Sequence, residues 1–320
     1  MLPALLPLIS AIGAPVPYDT STALADLASN ATVVPGTSFI EVQFGGRTRD
    51  AILYVPAAAP TGAVLPLVFN YHGFGSDAFQ QVIYSNMNPV ADEHSFAVIY
   101  PYGVGIAGVG RSFNGGSCCP ISNSQADPID DASLSEAWTS EVERILSASG
   151  QSVDRSRVYS LGMSNGGYMS IRLGCTRSSL FAAVASVTGV LGNDSPGTDD
   201  FACDFESTGG RPIPFLHIHG TADATVPYSA VQRGIDVFRG LNRCENEPPD
   251  GVVTYQRNTT TCRSFCGLSL PNVTLCSVEG GGHDWFGSPV CELVGGRPVG
   301  CADIDSTGQA WAFFAAHQRQ

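Results

Sequence analysis

The stretch Val158-Tyr159-Ser160-Leu161-Gly162-Met163-Ser164-Asn165-Gly166-Gly167 decides how this chain is read. A short β-prone run leads into a G-x-S-x-G box, and residues 168–173 continue with helix-compatible spacing. Strand, sharp turn and helix in that order lift a serine hydroxyl above the end of a sheet. The turn draws its flanks so close that a Cβ has no room at Gly162 or Gly166. A helix that begins directly after Ser164 aims its first N–H groups at whatever the serine carries, which favours negative charge there. A G-x-S-x-G match alone is weak in a chain with 36 glycines. The strand before it and the helix after it set this one apart, and the rest of the chain must supply a base, a carboxylate and an anion site.

Working outward, strand and helix patterns alternate. Residues 38–44 and 47–55 read as two strands joined by the hairpin signal Gly45-Gly46. Residues 65–71 form a continuous apolar run of the kind buried on both faces, and 96–100 form another. A helical pattern lies between them at 79–87. A long loop, 102–128, precedes a helix over 133–147 whose start Asp131 is placed to cap. Beyond the serine box, 181–187, 213–219 and 273–278 read as strands, and 230–241 and 307–317 as helices. Such alternation predicts an α/β fold with a mostly parallel central sheet and helices on both faces. With no internal repeat and no low-complexity linker, residues 37–320 read as a single catalytic domain.

Composition bounds the function. The formal net charge is −13 and all 16 basic residues are arginine. A serine–lysine dyad and a Schiff-base lysine are therefore excluded. An acidic chain without a basic run argues against nucleic acid or an anionic membrane as partner. The ten cysteines include no C-x₂-C pair, so a zinc ribbon has little support. An even number, concentrated in the C-terminal half, reads as up to five disulfides formed in an oxidising compartment. Cys291 with Cys301, Cys175 with Cys203, and one pair within the group 244, 262, 266 and 276 are plausible bridges. The apolar run 2–12, followed by small residues, reads as a signal peptide over 1–14 with a polar leader over 15–36. Sequons begin at Asn30, Asn193, Asn258 and Asn272 and agree with a secreted product. No stretch has the length and apolarity of a membrane-spanning helix, so no stable membrane insertion is expected.

In open α/β sheets active sites gather at the carboxyl ends of the strands. After strand 65–71 comes His72-Gly73-Phe74, where the Phe74 N–H suits an oxyanion donor working with that of Asn165. Past strand 213–219 lies Asp223 in a tight loop, and past 273–278 three glycines carry His283. The chain order Ser164, Asp223, His283 gives a nucleophile, an orienting carboxylate and a general base. The other histidines have plainer readings: His94 and His317 as surface residues, His72 as a structural residue beside the oxyanion loop. His217 and His219 stand two apart, a metal-ligand spacing, but no further Asp or His completes a site, so no metal is expected. The run Gly103-Val104-Gly105-Ile106-Ala107-Gly108 matches a dinucleotide fingerprint, yet residues 109–120 cannot open a helix, and the pyrophosphate has no seat. No cofactor is expected, and the run reads as a mobile loop near the site, pinned by Cys118 or Cys119.

Taken together, the boxes Tyr71-His72-Gly73-Phe74-Gly75, Phe113-Asn114-Gly115-Gly116-Ser117-Cys118-Cys119, Ile129-Asp130-Asp131, Gly162 to Gly167, His219-Gly220-Thr221-Ala222-Asp223 and Gly280-Gly281-Gly282-His283-Asp284-Trp285 carry a resemblance. The chain resembles the secreted polyhydroxybutyrate-depolymerase-like and feruloyl-esterase-like enzymes of carbohydrate esterase family one, within the α/β-hydrolase superfamily. The resemblance implies an α/β-hydrolase fold and the triad Ser164, Asp223 and His283. It departs at Asp284-Trp285-Phe286, where members often carry Thr-Trp-Pro, and in a longer segment at 245–265. The implied function is a secreted serine carboxylic-ester hydrolase acting on a polymeric or small ester, with feruloyl or related aryl esters ahead of poly(3-hydroxybutyrate). Trp285, Phe286 and Phe74 are candidates to stack on an aromatic acid. A non-catalytic binding protein on the same fold has no physical need to keep the three residues together. A serine peptidase of this fold usually adds a propeller or cap, and 320 residues leave no length for a propeller.

Overall fold

The computed structural model describes residues 36–106, 108–119, 129–192, 201–244, 248–267, 271–291 and 299–319. The expected signal peptide, most of the leader, and the sequons at Asn30 and Asn193 lie outside them. Strands β1 (Thr37–Phe44) and β2 (Arg47–Tyr54) pair antiparallel about Gly45 and Gly46, whose φ of +59° and +75° are those a two-residue hairpin turn needs. In chain order there follow β3 (Val64–Tyr71), α1 (Ala78–Ser85), α2 (Met87–His94), β4 (Ala97–Pro101), β5 (Val104–Ile106), β6 (Gly110–Ser112) and α3 (Asp131–Ala148). Next come β7 (Ser152–Met163), α4 (Asn165–Thr176), β8 (Ala183–Val187), α5 (Phe205–Thr208), β9 (Phe215–Gly220) and α6 (Val231–Leu241). The last elements are β10 (Val252–Arg257), β11 (Thr260–Ser264), β12 (Val273–Val278) and α7 (Ser306–Ala315).

Ten strands form one sheet in the order β1-β2-β4-β3-β7-β8-β9-β12-β11-β10. The run β4-β3-β7-β8-β9-β12 is parallel throughout, so all six carboxyl ends meet at one edge. Strand periodicity of two then separates two cores. Leu65, Leu67 and Phe69 of β3, Val158 of β7, Val184 of β8 and Phe215 of β9 pack with Trp138 of α3, Ile171 of α4 and Phe238 of α6. Val68, Tyr159, Leu161, Ala185 and Leu216 face the other way, onto Ala78 of α1, Met87 of α2 and Trp311 and Phe314 of α7. This is the mostly parallel sheet with helices on both faces that the alternation predicts, in the α/β-hydrolase arrangement.

The structure corrects four local expectations. The cap of α3 is Asp130, whose carboxylate accepts from Ser133 N at 2.9 Å. Asp131 is instead buried, accepting from Arg49 at 2.6 Å and from Asn114 N at 2.7 Å. The loop 102–128 contains the hairpin β5–β6. The extra segment at 245–265 holds β10 and β11, which extend the sheet antiparallel. Their pattern is weak because β10 is an exposed edge strand with no buried face. The cysteines of the group 244, 262, 266 and 276 form two bridges, Cys244–Cys266 and Cys262–Cys276, alongside Cys175–Cys203 and Cys291–Cys301. Cys118 and Cys119 pair with each other.

Candidate active site

Ser164 stands between the end of β7 and the start of α4 with φ +52° and ψ −118°. A non-glycine residue rarely holds a positive φ, and the surroundings must impose it. Here Ser164 N donates to Val187 O at 2.8 Å, and Ser164 O accepts from Tyr168 N at 2.9 Å. A Cβ on Gly162 would strike the Gly166 backbone, and one on Gly166 would strike the carbonyl of Tyr71. The two glycines therefore let β7, α4 and the end of β3 converge on the serine.

The same edge carries the other two residues. Asp223 follows β9, and its Oδ1 accepts from Thr225 N at 2.8 Å and Val226 N at 2.9 Å. Its Oδ2 accepts from His283 Nδ1 at 2.7 Å. A carboxylate only accepts, so the proton sits on Nδ1 and leaves the Nε2 lone pair of His283 free to act as base. Burial works to raise the Asp223 pKa, but the hydrogen bonds from His219 and His283, electrostatic attraction from His283 and the Val226 N–H hold it well below the usual carboxylate range. Asp223 is thus a fixed anion near neutrality.

Gly73 lies against the serine, a Cβ on it falling 3.5 Å from Ser164 Cβ. His72 Nε2 accepts from Gly103 N at 3.0 Å, so the ring proton is on Nδ1, which donates to Gly73 O at 2.8 Å. That carbonyl shares a peptide plane with the Phe74 N–H, and in a trans peptide the two point opposite ways. Fixing the carbonyl therefore fixes the direction of the Phe74 donor. Burial pushes the His72 imidazole down to about 3, so it stays neutral. Directly after the serine, the Asn165 side chain clamps Phe113, accepting from its N at 2.8 Å and donating to its O at 3.0 Å. Asn165 Nδ2 also reaches Cys118 Sγ at 3.6 Å. The 113–119 run is therefore held beside the serine by Asn165 and, through Asn114, by Asp131 and Arg172. The two cysteines are bonded to each other, so neither forms a disulfide to another part of the chain.

The expected aromatic residues separate. Phe286 is fully buried and packs on Val278 and beneath Gly281 and Gly300, so it presents no face to a ligand. Its placement corrects the expectation that it lines the substrate. Trp285 is 2% exposed and donates from Nε1 to Thr307 Oγ1 at 2.9 Å. It does border a shallow crevice shared with Tyr84, Met163, Ser288, Val290 and Cys291. Phe74, directly after Gly73, is 40% exposed, with exposed Val109 on the adjoining loop. The two loops are stitched by Gly75 N donating to Arg111 O at 2.9 Å.

One contact lies beyond the sequence reading. His219 Nε2 is 3.2 Å from Asp223 Oδ2, the same oxygen that accepts from His283. The four-residue separation is visible in the chain, but the two-residue spacing of His217 and His219 points only to metal ligation. Among the described residues no cluster of three or more His, Cys, Asp or Glu could hold a metal ion.

The pattern of the esterase PHB depolymerase family matches residues 50–233, which is more than half of the chain. NocK of Nocardia uniformis subsp. tsuyamanensis, named as an esterase, is 29% identical over 78% of this chain and 74% of its own length. Feruloyl esterase B of Piromyces equi is 28% identical over 73% of this chain, which spans only 42% of that protein. The acetyl xylan esterase structure from Aspergillus awamori superposes with a TM-score of 0.58 at 17% identity, covering 77% of this chain and 94% of that one, and shows the shared fold. The match of family and fold agrees with the serine turn at the sheet edge, and the chain belongs to the esterase PHB depolymerase family of carboxylic-ester hydrolases.

Proposed function

We propose that this esterase works through Ser164, His283 and Asp223, is secreted, and prefers feruloyl or related aryl esters. The observation that carries the reading is the Asp223–His283 hydrogen bond of 2.7 Å at the sheet edge where Ser164 holds its positive φ. Ser164 Oγ attacks the ester carbonyl carbon as His283 Nε2 takes its proton. The tetrahedral oxyanion is met by the N–H groups of Phe74 and Asn165, each worth about 3 kcal/mol by analogy with known donor deletions. His283 returns the proton to the leaving alkoxide, and an acyl-Ser164 remains. Water, deprotonated by His283, then attacks the acyl carbon, and Ser164 leaves with the proton as the acid departs.

The aryl preference is supported by the exposed Phe74, directly after Gly73 that lies against Ser164, and by the likeness to feruloyl esterase B. The family match supports poly(3-hydroxybutyrate) as the second reading. Secretion is supported by five disulfide pairs and by a sequon at exposed Asn258, while no described helix is long and apolar enough to cross a membrane. The test is hydrolysis of p-nitrophenyl acetate, methyl ferulate and a hydroxybutyrate oligomer by wild type and Ser164→Ala. Wild type is expected to cleave methyl ferulate faster than the oligomer, and Ser164→Ala to lose at least about 10³-fold. Activity unchanged in Ser164→Ala sinks the triad; a faster oligomer rate transfers the assignment to polyester.

A further inference from the structure

His219 and His217 are buried, at 0% and 1% exposure, on the β9 face that leads to Asp223. His219 Nε2 is 2.9 Å from Val226 O and 3.2 Å from Asp223 Oδ2. Both neighbours only accept, so Nε2 carries a proton that the two oxygens share. On the other side of the ring, His219 Nδ1 is 2.9 Å from His217 Nε2. His217 Nδ1 has no hydrogen-bond partner among the described residues. Two proton arrangements satisfy the pair. If His219 were doubly protonated, His217 would have to accept at Nε2 and leave a buried N–H at Nδ1 facing nothing. If both rings are neutral, His217 Nε2–H donates to His219 Nδ1, and only a lone pair is left over. An orphaned buried N–H is the rarer and costlier outcome, so the neutral chain is the consistent one. Burial also pushes the His217 imidazole well below its ordinary value, with His219 adding to the effect. The Phe215 ring meets that of His217 edge-on, with centroids 5.7 Å apart.

Resting on the triad reading above, we infer that His219 is a positioning residue, a second N–H donor that holds the Asp223 carboxylate and sets how much of its charge reaches His283. Asp223 Oδ2 sits between two imidazole N–H groups, one that joins the base and one anchored in the core. His217, donating into Nδ1, polarises His219 and makes its Nε2–H the stronger donor. The shared bond to Val226 O ties the same ring to the loop whose N–H groups bind Asp223 Oδ1, so ring, loop and carboxylate are oriented as a unit. Among the described residues, His219 meets the titratable groups of Asp223, His217 and Tyr228, and Asp223 in turn bonds His283. The Tyr228 ring meets it edge-on at 5.9 Å, with its hydroxyl bonded to Ser277 Oγ of β12.

The experiment compares His219→Phe, His219→Gln and His217→Phe with wild type and Ser164→Ala, using p-nitrophenyl acetate across pH. His219→Phe keeps ring bulk and removes the donor. It is expected to lower kcat about tenfold with little change in KM, the scale of one hydrogen bond to a charged group. More charge then reaches His283, so the acidic limb of kcat/KM should move to higher pH. The low-field proton resonance of the His283–Asp223 bond should move further downfield. His219→Gln, with an amide N–H at similar reach, should recover most of kcat and the wild-type limb. His217→Phe leaves the Asp223 contact and should move the limb the same way by less. A His219→Phe profile identical to wild type overturns the inference. So does an equal loss in His219→Phe and His219→Gln with the limb unmoved, which marks a structural role only. If His219→Phe fails to fold by circular dichroism, an unmoved limb in His217→Phe overturns it. Activity persisting in Ser164→Ala rejects the triad reading itself, whereas an inactive Ser164→Ala beside an unchanged His219→Phe rejects only the role of His219.

Discussion

In the proposed mechanism Phe74 takes two roles on different atoms. His72 Nδ1 holds the carbonyl that precedes its N–H at 2.8 Å, and the residue is 40% exposed. Substitution separates them. Phe74→Ala keeps the N–H and deletes the ring, so kcat/KM for methyl ferulate is expected to fall about tenfold, the worth of one aromatic contact plus its burial. The rate on p-nitrophenyl acetate, whose acyl group cannot stack, should stay within about twofold. Equal losses on both substrates would place the ring in a role other than aryl recognition. The placement of Ser164, Asp223 and His283 was legible because each follows a strand in a tight or glycine-rich turn, a pattern carried by neighbours in sequence. Phe286 was not, because its burial depends on Val278 and Gly300, and nothing adjacent to it announces a core position.

At the scale of elements, α3 does more than cover the sheet. Its first residue, Asp131, is 3% exposed and joins Arg49 of β2 to Asn114 of the loop that Asn165 clamps. The ion pair thus links a strand, a helix start and the wall of the site. Removing one partner of such a pair leaves a buried charge uncompensated. Asp131→Asn is expected to destabilise the fold by about 3–5 kcal/mol in urea unfolding, with activity falling as the 113–119 run loosens. The double substitution Arg49→Met with Asp131→Leu should recover most of that stability but not the activity, since Asn114 N loses its carboxylate acceptor. Sequence spacing put the cap at Asp131. Neighbouring acids cannot be told apart by local pattern; which one turns inward depends on Arg49, 82 residues away.

Across the whole molecule, four disulfides close loops with separations of 10, 14, 22 and 28 residues, and the fifth joins adjacent cysteines. Loop closure stabilises by constraining the unfolded chain, by about 2–4 kcal/mol at these lengths. An adjacent pair constrains almost nothing. Cys262→Ser with Cys276→Ser is therefore expected to lower stability by about 2–4 kcal/mol, while Cys118→Ser with Cys119→Ser should change it by less than about 1 kcal/mol. Thermal melting of both variants checks the contrast. The larger loss joins β11 to β12, the strand that delivers His283, so activity at elevated temperature should fall with it.

What the sequence determined by itself was which three candidate residues follow strands, and their chain order. Strand, tight turn and helix are local patterns, and apolar runs too short for a membrane but buried on both faces imply a covered parallel sheet. Those patterns suffice to bring Ser164, Asp223 and His283 to one edge, because parallel strands end together. Only the tertiary structure decided which acid became the cap, how four clustered cysteines divided, which aromatic ring faces solvent, and that His219 touches the Asp223 carboxylate. Each of these depends on which groups meet across the sheet or at a loop tip, and that choice is made by packing and hydrogen-bond satisfaction rather than by any periodicity in the chain.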